Sequence, residues 1–489
     1  MRIFSHLLLA IIFSGFFVAC GDDDTPAPPV STTPCEEDAA ATCTIFARST
    51  LDFTDGSGTA HAVDVVSITD RGEGTGSITM HNDTTYVLNG LVFVNPGQTL
   101  IIEPGTVIKG EPGTGEEASA LIVSRGGMIN AQGTSTTPVI LTASADPTYS
   151  ASAGIVTTGG LPSSTAGLWG GLIVLGNASL NSSPGESAIE GINTGEVRGL
   201  YGGSDDADNS GTIRYVSVRH GGSDIGGGNE INGVTMGGVG SGTIIEYVEV
   251  FGNKDDGFEW FGGTVNTKYL VSGYNQDDAM DYDEGWRGNN QFWLVFQVGS
   301  ADRGGEHDGG TDPETAPPYA TPTIANASYF GLGSAEGKRA LTFRDNAGGH
   351  YLNSIFKGYG KGVDIEYLGD ATVEDSHNRF VAGELTFKSN ILNDVGANAW
   401  TLADPDSVGI SQGDLDAFSI YFGNEGNTSV SDPMFAADGV TPMTGGVATS
   451  GVTANPAGSF FTTVNYKGCV DPATGPTWIA GWTRLSQEF

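Results

Sequence analysis

Asn-x-Asp-Asp occurs at Asn253–Asp256 and again at Asn275–Asp278, 22 residues later. The interval is shared by more than the acids. Tyr247-Val248, Tyr269-Leu270 and Gln291-Phe292 fall at successive steps of 22, and Phe258/Met280 and Trp260/Tyr282 keep the same offset. "GTIRYVSVRH" (Gly211 to His220) and "GTIIEYVEVF" (Gly242 to Phe251) repeat one strand motif across an inserted "GGSDIGGGNE". Self-similarity at 20–50 residues marks a solenoid, in which each repeat buries its apolar side only against its neighbours. The runs between turns are short and alternating, the turns are Asn-Gly and Pro-Gly, and no convincing amphipathic helix of twelve or more residues is present. The expected fold is therefore all-β: a right-handed single-stranded parallel β-helix, three strands per rung of about 22 residues. Strands of successive rungs then lie about 4.8 Å apart. Val248, Leu270 and Phe292 are expected in one inward file, and the two Asp pairs at the same turn of adjacent rungs.

The bulk numbers agree with an exported protein. Of 489 residues, 58 are acidic and 21 basic, a formal net charge of −37. Such a surface repels phosphates, so no nucleic acid is expected as partner. It suits a soluble monomer and attracts divalent cations. The 75 glycines are about twice the usual share of ~7%, in keeping with a turn-rich chain.

Residues 1–19 read as a lipoprotein signal peptide: Arg2 is the positive end, and Leu7 to Val18 is an apolar stretch too short to span a bilayer. "FVAC" is a lipoprotein box, so Cys20 is expected to carry the lipid and tie the chain to a membrane. Residues 20–44 are a Pro/Ser/Thr-rich flexible tether, 45–85 an N-terminal cap, 86–400 the β-helix, and 401–489 irregular C-terminal rungs and a loop-rich cap. Cys35 and Cys43 lie close together in an exported chain, so a disulfide is expected between them, leaving Cys469 as a buried free thiol.

The segments "GTVIKG", "EINGVTMGGVGSGTIIEYVEV", "DDGFEWFGGTVNTKYL" and "NYKGCVDPATGPTWIAGWT" resemble those of a widespread group of pectin-lyase-fold surface lipoproteins of Bacteroidetes and other Gram-negative bacteria. The resemblance covers roughly Asp70 to Thr483. "GDDD" directly behind Cys20 is similar to the surface-export signal of Bacteroidetes lipoproteins. The resemblance implies the β-helix and an outer-membrane, lipid-anchored, surface-exposed location. It carries no activity. Cys469 departs from it, since the group usually has a small residue there.

Three constellations could carry chemistry. Asp255, Asp256, Asp277 and Asp278 stack in neighbouring turns, with Asp281 and Asp283 close by, and mutual repulsion must raise their pKa values or recruit a cation. Hard oxygen ligands in that number suit Ca2+, as a structural ion. "DADNSG" resembles the start of a calcium loop and adds Asp206 and Asp208, although Ser217 stands where such a loop has Glu. The order "NKDDG", "NQDD", "GEHDGG", "KRALTFR" resembles that of polygalacturonase-type glycosidases, which would make Asp256, Asp277, Asp278 and His307 catalytic. Three of those four motifs depart from the pattern. A lyase would need an arginine or lysine base, for which Arg287 and Arg344 are available. Finally, Trp260, Tyr282 and Trp286 could form a sugar-stacking platform, with Trp286 the most exposed. The function expected is binding or adhesion to an extracellular polysaccharide at the cell surface; the alternative is a polysaccharide lyase or glycoside hydrolase working in the groove of the helix.

Overall fold

Four aromatic residues bend the chain at the same corner of successive coils. Tyr215, Tyr247, Tyr269 and Phe292 all take left-handed backbone angles, with φ of 50°, 56°, 60° and 63°. That conformation is unfavourable for a residue with a Cβ by about 1–2 kcal/mol. Here stacking offsets it: neighbouring ring centroids lie 4.4, 4.3 and 4.9 Å apart. The spacing matches the ~4.8 Å between paired strands, so one ring per coil builds a column.

The computed structural model describes residues 43–488 apart from 56, 227–228, 312, 370–373, 404–408 and 431–433. Cys20, Cys35 and most of the tether lie outside the described residues; Cys43 is disulfide-bonded. The described chain is a parallel β-helix with three files of strands. Sheet 1 includes Val234–Gly237, Phe258–Phe261, Met280–Asp283, Arg303–Asp308 and Arg339–Arg344, paired in parallel in that order. The other two sheets share long bent strands such as Ile244–Phe251 and Asn266–Gly273, one sheet on each side of the aromatic corner.

The 22-residue step holds from Ile244 to Asn266 and from Phe258 to Met280. The next coil takes 23, because Leu270 pairs with Trp293. The extra residue lies in the turn between Asp283 and Asn289, where Glu284 and Gly285 are both left-handed. The inward file is therefore Val248, Leu270 and Trp293, and Phe292 is corrected to the outer aromatic column. A one-residue slip moves a side chain to the other face of a strand.

Two regions outside the coils matter for the site. An arm between Leu175 and Gly211 packs Ile189, Ile192 and Tyr201 against the outside of sheet 1. The C-terminal segment runs back along the aromatic corner, burying Met434, Cys469, Trp482 and Leu485 with Phe251, Phe292 and Phe330. Fully buried Glu249 anchors its end, accepting from the backbone N–H groups of Arg484 (2.7 Å) and Leu485 (2.8 Å). Cys469 is a free, buried thiol pushed up to about 12 by burial.

The chain also holds a helix the sequence pattern did not suggest, Gln412–Asn424. It covers the last coil with Phe418 and Phe422, the latter stacked on Trp400 at 3.6 Å. Leu415 and Tyr421 pack beside them, so the inward face is Leu415, Phe418, Tyr421 and Phe422, a short stripe at helical spacing. The other signal available was the N-cap: Ser411 Oγ accepts from the Asp414 N–H at 3.1 Å.

Candidate functional site

Alternation along the strands of sheet 1 sorts aromatic from acid. Phe258 and Trp260 point into the lumen, and Glu259 between them points out. The register places Glu259, Asp281 and Glu306 beside one another on three successive coils. The turn before each strand supplies the second row. Asn253 and Asn275 are its buried formers: Asn253 N–H donates to Asn275 Oδ1 at 2.9 Å, and its Nδ2 donates to the Asp256 carbonyl at 2.9 Å. The two acids of each pair then differ. Asp255 is half-buried and Asp277 exposed, whereas Asp256 and Asp278 are buried. Asp256 Oδ1 accepts the N–H of Asp278 (2.8 Å), and Asp278 Oδ1 accepts the N–H of Arg303 (2.5 Å). Each inner aspartate thus ties its coil to the next and keeps its second oxygen for another partner.

Together these rows form four overlapping trios: Asp255/Asp256/Asp277, Asp256/Glu259/Asp281, Asp277/Asp278/Asp302 and Asp278/Asp281/Glu306, each with one oxygen per residue within 4.8 Å of the others. Compensation is uneven along them. At one end Arg303 Nη1 lies 3.3 Å from Asp278, 2.8 Å from Asp302 and 3.0 Å from Glu306. Arg344 reaches Glu306 at 2.8 Å and grips Asp308 with a two-pronged contact at 2.7 and 2.9 Å. At the other end Asp256, Glu259 and Asp281 have no ion-pair partner among the described residues. Lys254 is drawn off to Glu230 at 2.5 Å. Glu259 accepts from Asn232 Nδ2, and Asp281 Oδ1 has no hydrogen-bond partner among the described residues. Burial first, and the neighbouring carboxylates second, push Asp256, Glu259 and Asp281 well above the usual carboxylate range. The same causes bring Asp255 up to about 7.

A family model described as "Pectate-lyase like beta helix domain" matches residues 72–411. The chain belongs to this pectate-lyase-like β-helix family. No curated protein and no solved structure gives a significant match. Membership fits a glycan-related function, binding or lyase or hydrolase chemistry.

In this pectate-lyase-like β-helix several expected site residues lie elsewhere. His307 is wholly buried on the lumen side, stacked on Tyr282 at 4.1 Å, with Nε2 2.7 Å from the Tyr351 hydroxyl. Burial holds its pKa down to about 3, so it stays neutral and cannot meet an external substrate. Its flanking residues Glu306 and Asp308 are the ones that face outward. Trp260, Tyr282 and Trp286 are also fully buried, with Trp260 and Trp286 stacked at 4.4 Å. They are lumen packing, not a sugar platform. Asp206 accepts from Ser179 and pairs with Arg287 at 3.1 Å, and Asp208 accepts from Asn177. Both fasten the arm and belong to none of the four trios. Asp283 accepts from Thr311 and from the Glu284 N–H, each at 2.5 Å, and also stands outside them. Glu259, Asp302 and Glu306 are the trio members that sequence spacing did not select. The strand alternation Phe-Glu-Trp, Met-Asp-Tyr, Gly-Glu-His held the signal for Glu259 and Glu306.

Proposed function

We propose that the chain is a surface lipoprotein of the outer membrane, anchored through Cys20, whose β-helix binds an extracellular glycan and holds Ca2+ as a structural ion. The observation that carries the cation is the buried trio Asp256/Glu259/Asp281, three carboxylates with no cationic partner among the described residues. Three bidentate-capable carboxylates offer the hard oxygens that Ca2+ takes in sets of six to eight. An ion there would sit between two coils and join them. The glycan belongs on the outer face of sheet 1 beside it, where Asp277 and Arg344 are accessible and can donate to or accept from hydroxyls. Buried aromatics leave this contact polar.

One oxygen of each carboxylate in a trio lies within 4.8 Å of the others, a spacing suited to sharing an ion. A glycan array, run with Ca2+ and with a chelator, alongside assays for reducing ends and unsaturated products, tests the proposal. Retention of a glycan without cleavage supports it. Cleavage with either product would replace it by the enzyme reading, and no binding in any condition would remove the glycan.

A further inference from the structure

The two ends of the solenoid are treated differently. The last coil is covered by the helix Gln412–Asn424. The first coil is extended by a hairpin, β1 (Ile45–Thr54) and β2 (Ala60–Thr69), paired antiparallel over ten residues without a bulge. β2 continues into the coils by pairing in parallel with Thr84–Leu88. β1 pairs with no other strand among the described residues. Its side chains from Ala47 to Asp52 are all exposed. Natural sheet edges are guarded by shortness, proline, bulges or charged side chains. Of these β1 has only the charges of Arg48 and Asp52, so alternate residues along its ten offer backbone donors and acceptors that no described strand takes.

The sequence of β1 selects the partner. Two copies of one strand related by a two-fold axis pair antiparallel about a residue that faces its own copy. With Thr50 at that centre, Arg48 of each copy stands opposite Asp52 of the other, giving two symmetric pairs. Arg48, Thr50 and Asp52 project from one face, so the charges meet side by side. Neither Arg48 nor Asp52 has an ion pair within its own chain among the described residues, so both remain available. Moving the centre to Ser49 or Leu51 sets Arg48 against Thr50 or Thr54 and loses both pairs. On the other face Leu51, 39% exposed, meets Ser49, and Phe53 meets Ala47.

We propose that β1 pairs antiparallel with β1 of a second copy, centred on Thr50, to make an end-to-end dimer with one sheet running β2–β1–β1–β2. This departs from the monomer expected from bulk charge. End-to-end contact keeps the two acidic sheet-1 faces far apart, and physiological salt screens charges beyond about 8 Å, so the net charge of −37 does not forbid it.

Sedimentation equilibrium of the full chain across a concentration series, with cysteine cross-linking, tests the register. Thr50→Cys is expected to form a disulfide dimer on mild oxidation, because directly opposed residues place their Cα atoms about 4.5–5.5 Å apart, within disulfide range. Ser49→Cys, one step off the axis, is expected to cross-link far less. Arg48→Asp sets two pairs of like charges together and is expected to weaken dimerisation roughly tenfold or more. Arg48→Asp/Asp52→Arg restores both pairs and is expected to restore the dimer. These exposed changes leave the melting curve in place. A monomer at every concentration with no Thr50→Cys cross-link overturns the proposal, whether the edge is covered by the chain preceding Cys43 or left open. A dimer indifferent to Arg48→Asp overturns it too, since the contact then lies elsewhere.

Discussion

Raising the pH should destabilise the metal-free protein, and Ca2+ should reverse the effect. A carboxyl whose pKa is raised by folding keeps its proton in the native state after the unfolded chain has lost it. Its contribution is complete below the unfolded value near 3.8 and is lost as the pH climbs towards the folded value. Asp255 rises from 3.8 to about 7. At about 1.4 kcal/mol per unit this is nominally ~4 kcal/mol, reduced to about 2 by its partial exposure to solvent. Asp256, Glu259 and Asp281 move in the same direction. They share protons with one another, so their losses do not simply add. At about 2.1 cal/mol/K per residue, a folded unit of this size converts roughly 1 kcal/mol into one degree. About two of those three pH units lie above pH 5, so calorimetry of the chelated protein is expected to show Tm falling between pH 5 and pH 8 by about 1 °C from Asp255 alone and further from the other three. An ion bound only to the folded state adds RT ln(1 + [L]/Kd), about 2.7 kcal/mol at a hundredfold excess, or about 3 °C at pH 8. At pH 5 protons compete for the same oxygens and the gain shrinks. The double variant Glu259→Gln/Asp281→Asn should reduce the pH slope to the part due to Asp255 and abolish the Ca2+ response. High salt screens the general repulsion of the acidic surface and leaves the buried trio unscreened. A chelated Tm that stays level or rises between pH 5 and 8 in high salt would refute the electrostatic account of the trio.

The remaining expectations are simpler. Leu270→Ala and Trp293→Ala each remove a lumen side chain and should cost about 2–5 kcal/mol by denaturant titration, with Val248→Ala smaller by its fewer carbons; equal tolerance of all three would place them outside the core. Glu249→Ala strips the acceptor from the Arg484 and Leu485 N–H groups, and each buried donor left unpaired costs about 1–3 kcal/mol. Limited proteolysis should then trim the C-terminal segment first, and a tail as resistant as in the parent protein would show that Glu249 is not its anchor. Cys20→Ser should release the protein from membranes or block its processing; fractionation with the outer membrane as before would mean that lipid at this residue is not what holds it.

How much was legible follows from what repeats. The 22-residue interval was readable because a parallel β-helix sets equivalent residues one above another, so the same volume and polarity are demanded at each step. That one property of the sequence determined the fold class and the stacking of Asp256 on Asp278. It did not determine the 23-residue coil, because a single added residue in the turn before Asn289 leaves the neighbouring motifs intact while moving Phe292 outward and Trp293 in. The site depended on a finer period. Whether Glu259 or Trp260 points out of the lumen is decided by alternation within a four-residue strand, and aromatic residues beside acids read equally well as a sugar platform or as lumen packing. Only the paired strands settle which row points out. Compensation of charge was beyond the sequence as well. Arg303 and Arg344 are 25 and 66 residues from Asp278 in the chain, yet the coils bring both to the Glu306 end and none to Asp256, Glu259 and Asp281. Composition fixes how many acids outnumber the bases; only the tertiary structure decides which carboxylates are left together without a counter-charge, because electrostatic energy depends on distance and burial and not on order along the chain.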